Sequence, residues 1–322
     1  MLQVLTVTFP FFALVLAGYV AARRGMLPLQ AIAGLNGFVL FFALPCMLYR
    51  FGASTPVAQL LDGAVALTWL LCGLILVGFT VATSLNKRIG WNDAAFGALV
   101  AAFPNSGFMG VPLLVALLGA PAAGPTILTM AIDMLVITSL CIALSRLDGA
   151  DQHGAAKALK SALKGVLSNP MPWAIVLGAL ASMLSLQLPG PLARVVGMLA
   201  DAASPVALFT IGAVLARSQM LAASGHAPAP LLRDYLPVAL FKLFLHPLLV
   251  LLLGATLIGL GLPLSRFALL VLVLVAALPS ASNVSLLAER FEADNGRVAR
   301  IILVSTAAAF FTFSLTVSAL LP

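Results

Sequence analysis

The chain has 322 residues, of which 62% are hydrophobic and only 8% are charged, whereas an ordinary globular protein is roughly 45–50% apolar and about 25% charged. With a mean hydropathy of +1.14, the composition excludes a disordered chain and an ordinary cytosolic enzyme and predicts a polytopic membrane protein. The net charge of +7 does not indicate a nucleic-acid partner, because the basic residues lie between long apolar runs and form no stripe.

Ten apolar runs follow one another along the chain and are predicted to be membrane spans. A bilayer core of about 30 Å requires ~20 apolar residues per helix. Strands are not expected, because the runs are continuous rather than alternating and strands would leave backbone groups unpaired in lipid. The predicted spans are 4–22, 32–51, 64–85, 94–118, 122–145, 170–187, 192–216, 235–260, 266–288 and 299–321.

Basic residues concentrate in the loops that follow the odd-numbered spans, and few lie on the other side. Because loops rich in lysine and arginine stay in the cytoplasm, both termini are predicted to lie outside it, in a multi-pass protein of the cell inner membrane. The basic residues on the predicted cytoplasmic side are Arg23, Arg24, Lys87, Arg88, Arg146, Lys157, Lys160, Lys164, Arg217, Arg233, Arg290, Arg297 and Arg300.

The longest polar stretch divides the predicted spans into two sets of five. An odd number of spans in each half means that the second half enters the membrane from the opposite side, which is the arrangement of an inverted repeat. The predicted organisation is a first repeat at 1–145, a cytoplasmic linker at 146–169 and a second repeat at 170–322. Pro45 and Pro205 are expected to interrupt the second span of each half, and Pro104 and Pro279 the fourth.

The fourth span of each half contains helix-breaking residues. Span 4 reads Phe103-Pro104-Asn105-Ser106-Gly107-Phe108-Met109-Gly110-Val111-Pro112, and span 9 reads Leu278-Pro279-Ser280-Ala281-Ser282-Asn283-Val284-Ser285. A single proline would indicate only a kinked buried helix. Matching breaks in corresponding spans instead indicate the binding site of a transporter. The helix-breaking residues are Pro104, Gly110, Pro112 and Pro279.

The two breaks predict a site for an anion, most simply a carboxylate. A half-helix that begins near Ser106 and another near Ser282 would each present roughly half a positive charge from free N–H groups. If the halves are inverted, the two starts converge, and Asn105 and Asn283 lie at the crossing as neutral donors and acceptors. The predicted substrate-binding residues are Asn105, Ser106, Gly107, Ser280, Ser282 and Asn283.

Charged side chains within the predicted spans are expected to have a function or a partner, because burying a charge in a membrane is costly. Asp133 in span 5 is a candidate proton or cation partner, with a buried pair to Lys242 as the alternative. Lys242 and His246 lie four residues apart in span 8, and His246 either carries a proton or satisfies a carbonyl. Asp201 in span 7 is assigned a packing or interfacial role. No enzyme signature, cofactor motif or metal-binding spacing is found in the sequence.

Around the breaks the sequence resembles the auxin efflux carrier family, which includes plant PIN-FORMED proteins and bacterial dicarboxylate permeases. The similar residues in span 4 are Pro104-Asn105-x-x-x-Met109-Gly110-x-Pro112-Leu113-Leu114, followed by Gly119. In span 9 they are Leu278-Pro279 with Asn283 and Leu287-Ala288, which resemble the bacterial branch. Two features depart from the plant members: the central loop is short, and Asn283 stands where plant carriers have an apolar residue.

The resemblance implies an all-α fold like that of bile acid/sodium symporters, with spans 4 and 9 crossed. It further implies a scaffold of spans 1, 2, 6 and 7 and a moving unit of spans 3–5 and 8–10. In plant relatives the asparagine equivalent to Asn105 contacts the substrate carboxylate, and bacterial members are described as malate or malonate permeases. The predicted assembly is a homodimer whose interface is formed by the scaffold spans.

The sequence therefore predicts a secondary active or facilitative transporter of small organic anions, such as malate or malonate, that works by alternating access of the elevator type. The alternatives are a carrier of a monocarboxylate or an amino-acid-like solute, a membrane-embedded enzyme, and a channel. Its predicted partners are the substrate anion and membrane lipid.

Overall fold

The computed structural model describes residues 2–56, 58, 61–147, 170–223 and 231–321. Within these ranges the chain is helical and forms no strand; its one β-type contact is an isolated bridge between Pro104 and Ser280. Of the linker predicted at 146–169, residues 148–169 lie outside the described residues. Lys157, Lys160 and Lys164, which helped to set the predicted orientation, are among them.

The helices are numbered here in chain order. They are α1 (Leu2–Arg23), α2 (Ala31–Ser54), α3 (Gly63–Ser84), α4 (Trp91–Ala102), α5 (Ser106–Leu118), α6 (Ala120–Leu144), α7 (Pro170–Met183), α8 (Gly190–Ala223), α9 (Leu232–Gly259), α10 (Arg266–Ala277), α11 (Val284–Arg290) and α12 (Asn295–Leu320).

The lengths and composition of the helices confirm a polytopic helical membrane protein. Among the residues that the structure describes, six regions are long and apolar enough to cross a membrane: α2, α3, α6, Gly190–Arg217 of α8, α9 and α12. Shorter apolar helices lie at Phe9–Arg23, Ser106–Leu118, Pro170–Met183 and Arg266–Ala277. Every predicted span therefore contains a helix, while the division of the chain into ten membrane crossings stays a prediction.

Two predicted spans are divided into separate helices at their prolines. The fourth ends as α4 at Ala102 and resumes as α5 at Ser106, and the ninth ends as α10 at Ala277 and resumes as α11 at Val284. The expected interruptions at Pro45 and Pro205 are wrong, because α2 continues through Pro45 after its π-helical turn and α8 runs unbroken through Pro205. A proline removes one backbone hydrogen bond, and in a long packed helix this loss bends or weakens a turn without ending the helix.

Wider π-helical turns are inserted into several helices. They comprise Val39–Ala43 in α2, Ser106–Gly110 at the start of α5, Asp133–Ile137 in α6 and Phe241–Leu245 in α9. Such turns often occur at functional positions, because they alter the local direction of side chains. In α6 the Thr138 hydroxyl donates to the Asp133 carbonyl at 2.8 Å, which satisfies an acceptor in the widened turn.

The chain divides into two compact units. The first comprises Met1–Asp62, Gly107–Leu128 and Asn169–Pro228, and the second comprises Gly63–Ser106, Thr129–Ser168 and Ala229–Pro322. In the first unit α1 and α8 approach closely through glycines. A Cβ atom at Gly18 would lie 1.8 Å from the Phe209 carbonyl oxygen, and one at Gly212 would lie 1.8 Å from that of Val15. Close contacts through small residues are a common way to pack membrane helices.

The second unit has a core of helices that are buried on every side. Residues 94–102 of α4 are all buried, as are 271–277 of α10, which is expected of helices that are apolar around their whole circumference. At the start of α12, Arg297 is 2% exposed. Its guanidinium donates to the Asp93 carbonyl at 2.6 Å and to the Asp234 carbonyl at 2.7 Å. One arginine thus links the first turns of α4, α9 and α12.

Candidate functional site

The two helix breaks of the second unit meet directly. The Asn105 backbone N–H donates to the Pro279 carbonyl at 2.8 Å, and the Ala281 backbone N–H donates to the Phe103 carbonyl at 2.9 Å. These two bonds form the isolated antiparallel bridge at Pro104 and Ser280. Each break therefore supplies the hydrogen-bonding partners that the other has lost.

The sequence accounts for this pairing. Neither Pro104 nor Pro279 has a backbone N–H, so the helix cannot continue regularly through either residue. The released donors and acceptors are costly if they stay unsatisfied in a membrane. The antiparallel pairing satisfies four of them, two from each break. The breaks are consequently a shared structural element, and the side chains that follow the prolines are held next to one another.

Several polar side chains surround this pairing. Asn105, Ser106 and Ser280 are buried, with exposed fractions of 4%, 0% and 1%, whereas Ser282 and Asn283 are half-buried. The Ser280 backbone N–H donates to the Ser305 hydroxyl at 3.2 Å, and its own hydroxyl oxygen has no partner. Within the described part of the chain, the side-chain amides of Asn105 and Asn283 make no hydrogen bond. These groups are available to a polar ligand.

The remaining residues of the predicted site belong to the first compact unit. Gly107 and Gly110 lie in the π-helical turn that opens α5. Pro112 is the second residue of the regular helical segment Val111–Leu118. Proline is tolerated in the first turn of a helix, so Pro112 begins a regular segment there and does not interrupt one. The contribution of Gly107 to substrate binding stays a prediction, as do the helix-breaking roles of Gly110 and Pro112.

The second unit also buries three ionisable side chains, Asp133, Lys242 and His246, next to Trp69, and we call these four residues the charged cluster. Trp69 Nε1 donates to Asp133 Oδ1 at 2.8 Å, and Lys242 Nζ lies 3.0 Å from His246 Nδ1. The rings of Trp69 and His246 pack with their centroids 5.2 Å apart. All four side chains are no more than 1% exposed. Asp133 and Lys242 each lie in a π-helical turn.

Lys242 links the charged cluster to the second break. Its ammonium donates to the Ala276 carbonyl at 2.8 Å. Ala276 lies in the last turn of α10, where carbonyls lose their helical partners and carry partial negative charge. The lysine therefore stabilises the end of the helix that leads into the break at Leu278.

Sequence reasoning missed the role of Trp69. A tryptophan in an apolar span is normally a packing residue, and only its indole N–H suggests a polar partner. The predicted packing residue Asp201 pairs with Arg50 in the first unit, at 2.6 Å between Oδ1 and Nη1. Among the described residues, no group of three or more histidine, cysteine, aspartate and glutamate side chains is placed to hold a metal ion.

Interrupted membrane helices whose freed backbone groups meet beside uncommitted polar side chains are a feature of transporters. The geometry thus indicates the class of membrane transport proteins. In agreement with this, the family described as "membrane transport protein" matches residues 3–317. The chain belongs to this family, the auxin efflux carriers, as its resemblance indicated.

Named relatives are similar to this chain over most of its length. A protein of Rhizobium meliloti (strain 1021) named "Putative malonate transporter" is 29% identical over 95% of this chain and 92% of its own length. "Uncharacterized transporter YfdV" of Escherichia coli (strain K12) is 28% identical over 88% of this chain and 86% of its own length. An "Uncharacterized transporter" of Methanothermobacter thermautotrophicus is 27% identical over 91% of this chain and 90% of its own length. Both the family and these relatives are transporters, which favours transport over an enzymatic function.

Proposed function

We propose that this protein is a carrier of small organic anions, with dicarboxylates such as malonate or malate as its substrates. The observation that carries the proposal is the pairing of the two breaks, which places the uncommitted polar groups of Asn105 and Ser280 in one unit. The relative from Rhizobium meliloti supports malonate as the first substrate to test, because that protein is named for malonate transport.

The chemistry of the pairing suits a carboxylate. The amides of Asn105 and Asn283 and the hydroxyls of Ser280 and Ser282 offer neutral donors. Hydrogen bonds to a charged group contribute about 1.5–3 kcal/mol each. Neutral donors allow the anion to be released as well as bound, which a carrier requires.

The proposed mechanism is alternating access of the elevator type across the cell inner membrane. Ten spans in two inverted repeats would place both termini outside the cytoplasm. A scaffold of spans 1, 2, 6 and 7 would stay in place while spans 3–5 and 8–10 move. The division of the chain into compact units supports this proposal in that the first unit contains α1, α2, α7 and α8, the helices of the proposed scaffold. The first unit also contains residues 107–128, which belong to the predicted spans 4 and 5. A homodimer through the scaffold is part of the proposal.

The test is counterflow of radiolabelled malonate in proteoliposomes. Replacing Asn105 or Asn283 with alanine should reduce malonate affinity about tenfold to a hundredfold, because each variant loses one hydrogen bond to a charged group. Asn36→Ala is the matched control, since Asn36 lies in α2 of the first unit, and it should leave counterflow unchanged. Wild-type counterflow in Asn105→Ala and Asn283→Ala would remove both residues from the site.

The same vesicles distinguish the alternatives. Competition by monocarboxylates or amino acids, with none by malonate or malate, would replace the dicarboxylate assignment with the runner-up substrates. A conductance without saturable exchange would indicate a channel. Chemical conversion of the solute in detergent solution, without vesicles, would indicate an enzyme.

A further inference from the structure

The charged cluster has features that packing alone does not explain. Asp133 is fully buried, yet only one of its oxygens is hydrogen-bonded: Oδ1 accepts from Trp69, while Oδ2 has no partner. A carboxylate in a membrane helix is expected to be paired or to have a function. Asp133 can take a proton on Oδ2 without losing any hydrogen bond that it now makes.

Lys242 supplies the opposing charge. Its ammonium is held between His246 Nδ1 at 3.0 Å and the Ala276 carbonyl at 2.8 Å, and it is opposite in charge to an ionised Asp133 in the same cluster. A charged ammonium donates to Nδ1, so the imidazole hydrogen is then on Nε2. With Asp133 ionised and His246 neutral, the charges of the cluster cancel.

We propose that Asp133 is the proton-coupling site of the carrier, an inference that rests on the proposed anion transport. A hydronium ion gives its proton to Asp133 Oδ2 and leaves as water, and one O–H bond forms. The negative charge of Asp133 is then lost, and Lys242 is left as an uncompensated cation hydrogen-bonded to the end of α10. The O–H bond breaks again when the site opens to the other side, and the proton returns to water.

This change of charge links the proton to the anion. An ionised Asp133 repels an anion bound at the paired breaks and offsets the attraction of that anion to Lys242. When Asp133 is protonated, the cluster keeps the positive charge of Lys242, which attracts the anion. Because linkage is reciprocal, a bound anion also favours protonation. Proton and anion therefore cross together, which is symport.

Two other carboxylates on the packed elements are held by other partners. Asp93 at the start of α4 accepts from the Asp294 backbone N–H, and Asp234 in the first turn of α9 pairs with Arg88. The titratable or charged groups on α6 and on the helices packed against the cluster, besides the cluster itself, are Cys72, Asp93, Cys141, Arg233, Asp234, Tyr235, Arg266, Arg297 and Arg300. Among the described residues of these helices and of the cluster, Asp133 is the buried carboxylate that has an oxygen without a hydrogen-bonding partner.

The experiment compares two assays in the same proteoliposomes: malonate counterflow without a pH gradient, and malonate accumulation driven by an acidic exterior. Wild-type protein should show both. Asp133→Asn should keep counterflow, because the amide is neutral like the protonated acid. Its gradient-driven accumulation of malonate should be at least tenfold lower than that of the wild-type protein. Asp201→Asn, an acidic residue of the first unit, is the matched control and should keep both activities.

The outcomes separate this inference from the proposed function. Absence of wild-type counterflow with every acid would overturn anion transport itself. Wild-type counterflow without gradient-driven accumulation would overturn proton coupling alone. Full gradient-driven accumulation by Asp133→Asn would show that Asp133 is not the proton-coupling site. If His246→Gln lost accumulation in the same experiment, the coupling site would be assigned to His246.

A second measurement covers the case in which Asp133→Asn does not fold. Malonate is added to weakly buffered wild-type protein in detergent, at a pH where free malonate is fully ionised. Uptake of about one proton per anion bound is the expected result for reciprocal linkage. Binding without proton uptake would contradict the inference.

Discussion

Asn105 donates its backbone N–H to the Pro279 carbonyl at 2.8 Å, although the two residues belong to different interrupted helices. This bond uses only the backbone of Asn105, so the side-chain amide stays free to bind a ligand. The bond also places Asn105 next to the residues that follow Pro279. The same prolines that end the two helices thus create the pairing that holds the candidate site together.

Ser305 is predicted to stabilise the second break. Its hydroxyl accepts from the Ser280 backbone N–H, which is buried. Ser305→Ala would leave this N–H unpaired, at a cost of about 1–3 kcal/mol, and should lower both the thermal unfolding midpoint and the affinity for malonate. Ser314→Ala is the control, because the Ser314 hydroxyl donates only to Phe310 in its own helix. Equal effects of the two variants would contradict this role for Ser305.

Gly212 is predicted to be required for packing of α1 against α8. A Cβ atom there would lie 1.8 Å from the Val15 carbonyl oxygen, so Gly212→Ala must separate the helices and should cost at least about 2 kcal/mol. Gly197→Ala, in the same helix, meets no atom within 4 Å and should gain roughly 0.5–1 kcal/mol from helix propensity. Thermal unfolding in detergent measures both changes, and a neutral Gly212→Ala would show that the close contact is wrong.

Arg297 is predicted to be irreplaceable by lysine. Its guanidinium uses separate nitrogens to reach the carbonyls of Asp93 and Asp234, and a single ammonium cannot reproduce that geometry. Arg297→Lys should therefore leave a buried carbonyl unpaired and cost about 1–3 kcal/mol. Arg300→Lys replaces an arginine over the Tyr235 ring at 5.8 Å and should change the unfolding midpoint less. A larger loss of stability in Arg300→Lys than in Arg297→Lys would refute the role of Arg297 in joining α4, α9 and α12.

Much of this fold follows from the sequence because it depends on local physics. Long apolar runs form helices in a membrane-protein sequence, and Pro104 and Pro279 end them because each lacks a donor. Pro205 shows where the same reasoning fails, since a proline in a well-packed helix need not end it. The contacts of Lys242 with Ala276 and of Trp69 with Asp133 join residues 34 and 64 positions apart, and a sequence pattern cannot provide such tertiary distances.

The polar groups at the two breaks were predictable as a set, but their pairing was not. The sequence indicated that backbone groups near Asn105 and Asn283 need partners. It did not indicate that Phe103 and Pro279 would provide the accepting carbonyls. That register depends on how the helices of the second unit pack.

Binding of malonate to the purified protein tests the central claim most directly. A ligand that binds only the folded state stabilises it by about 2.7 kcal/mol at a hundredfold excess over its Kd. Malonate should therefore raise the thermal unfolding midpoint of the wild-type protein and of Asn36→Ala, but not that of a variant with both Asn105→Ala and Asn283→Ala. The same rise in the double variant, or no rise in the wild-type protein with any mono- or dicarboxylate, would contradict an anion site at the paired breaks.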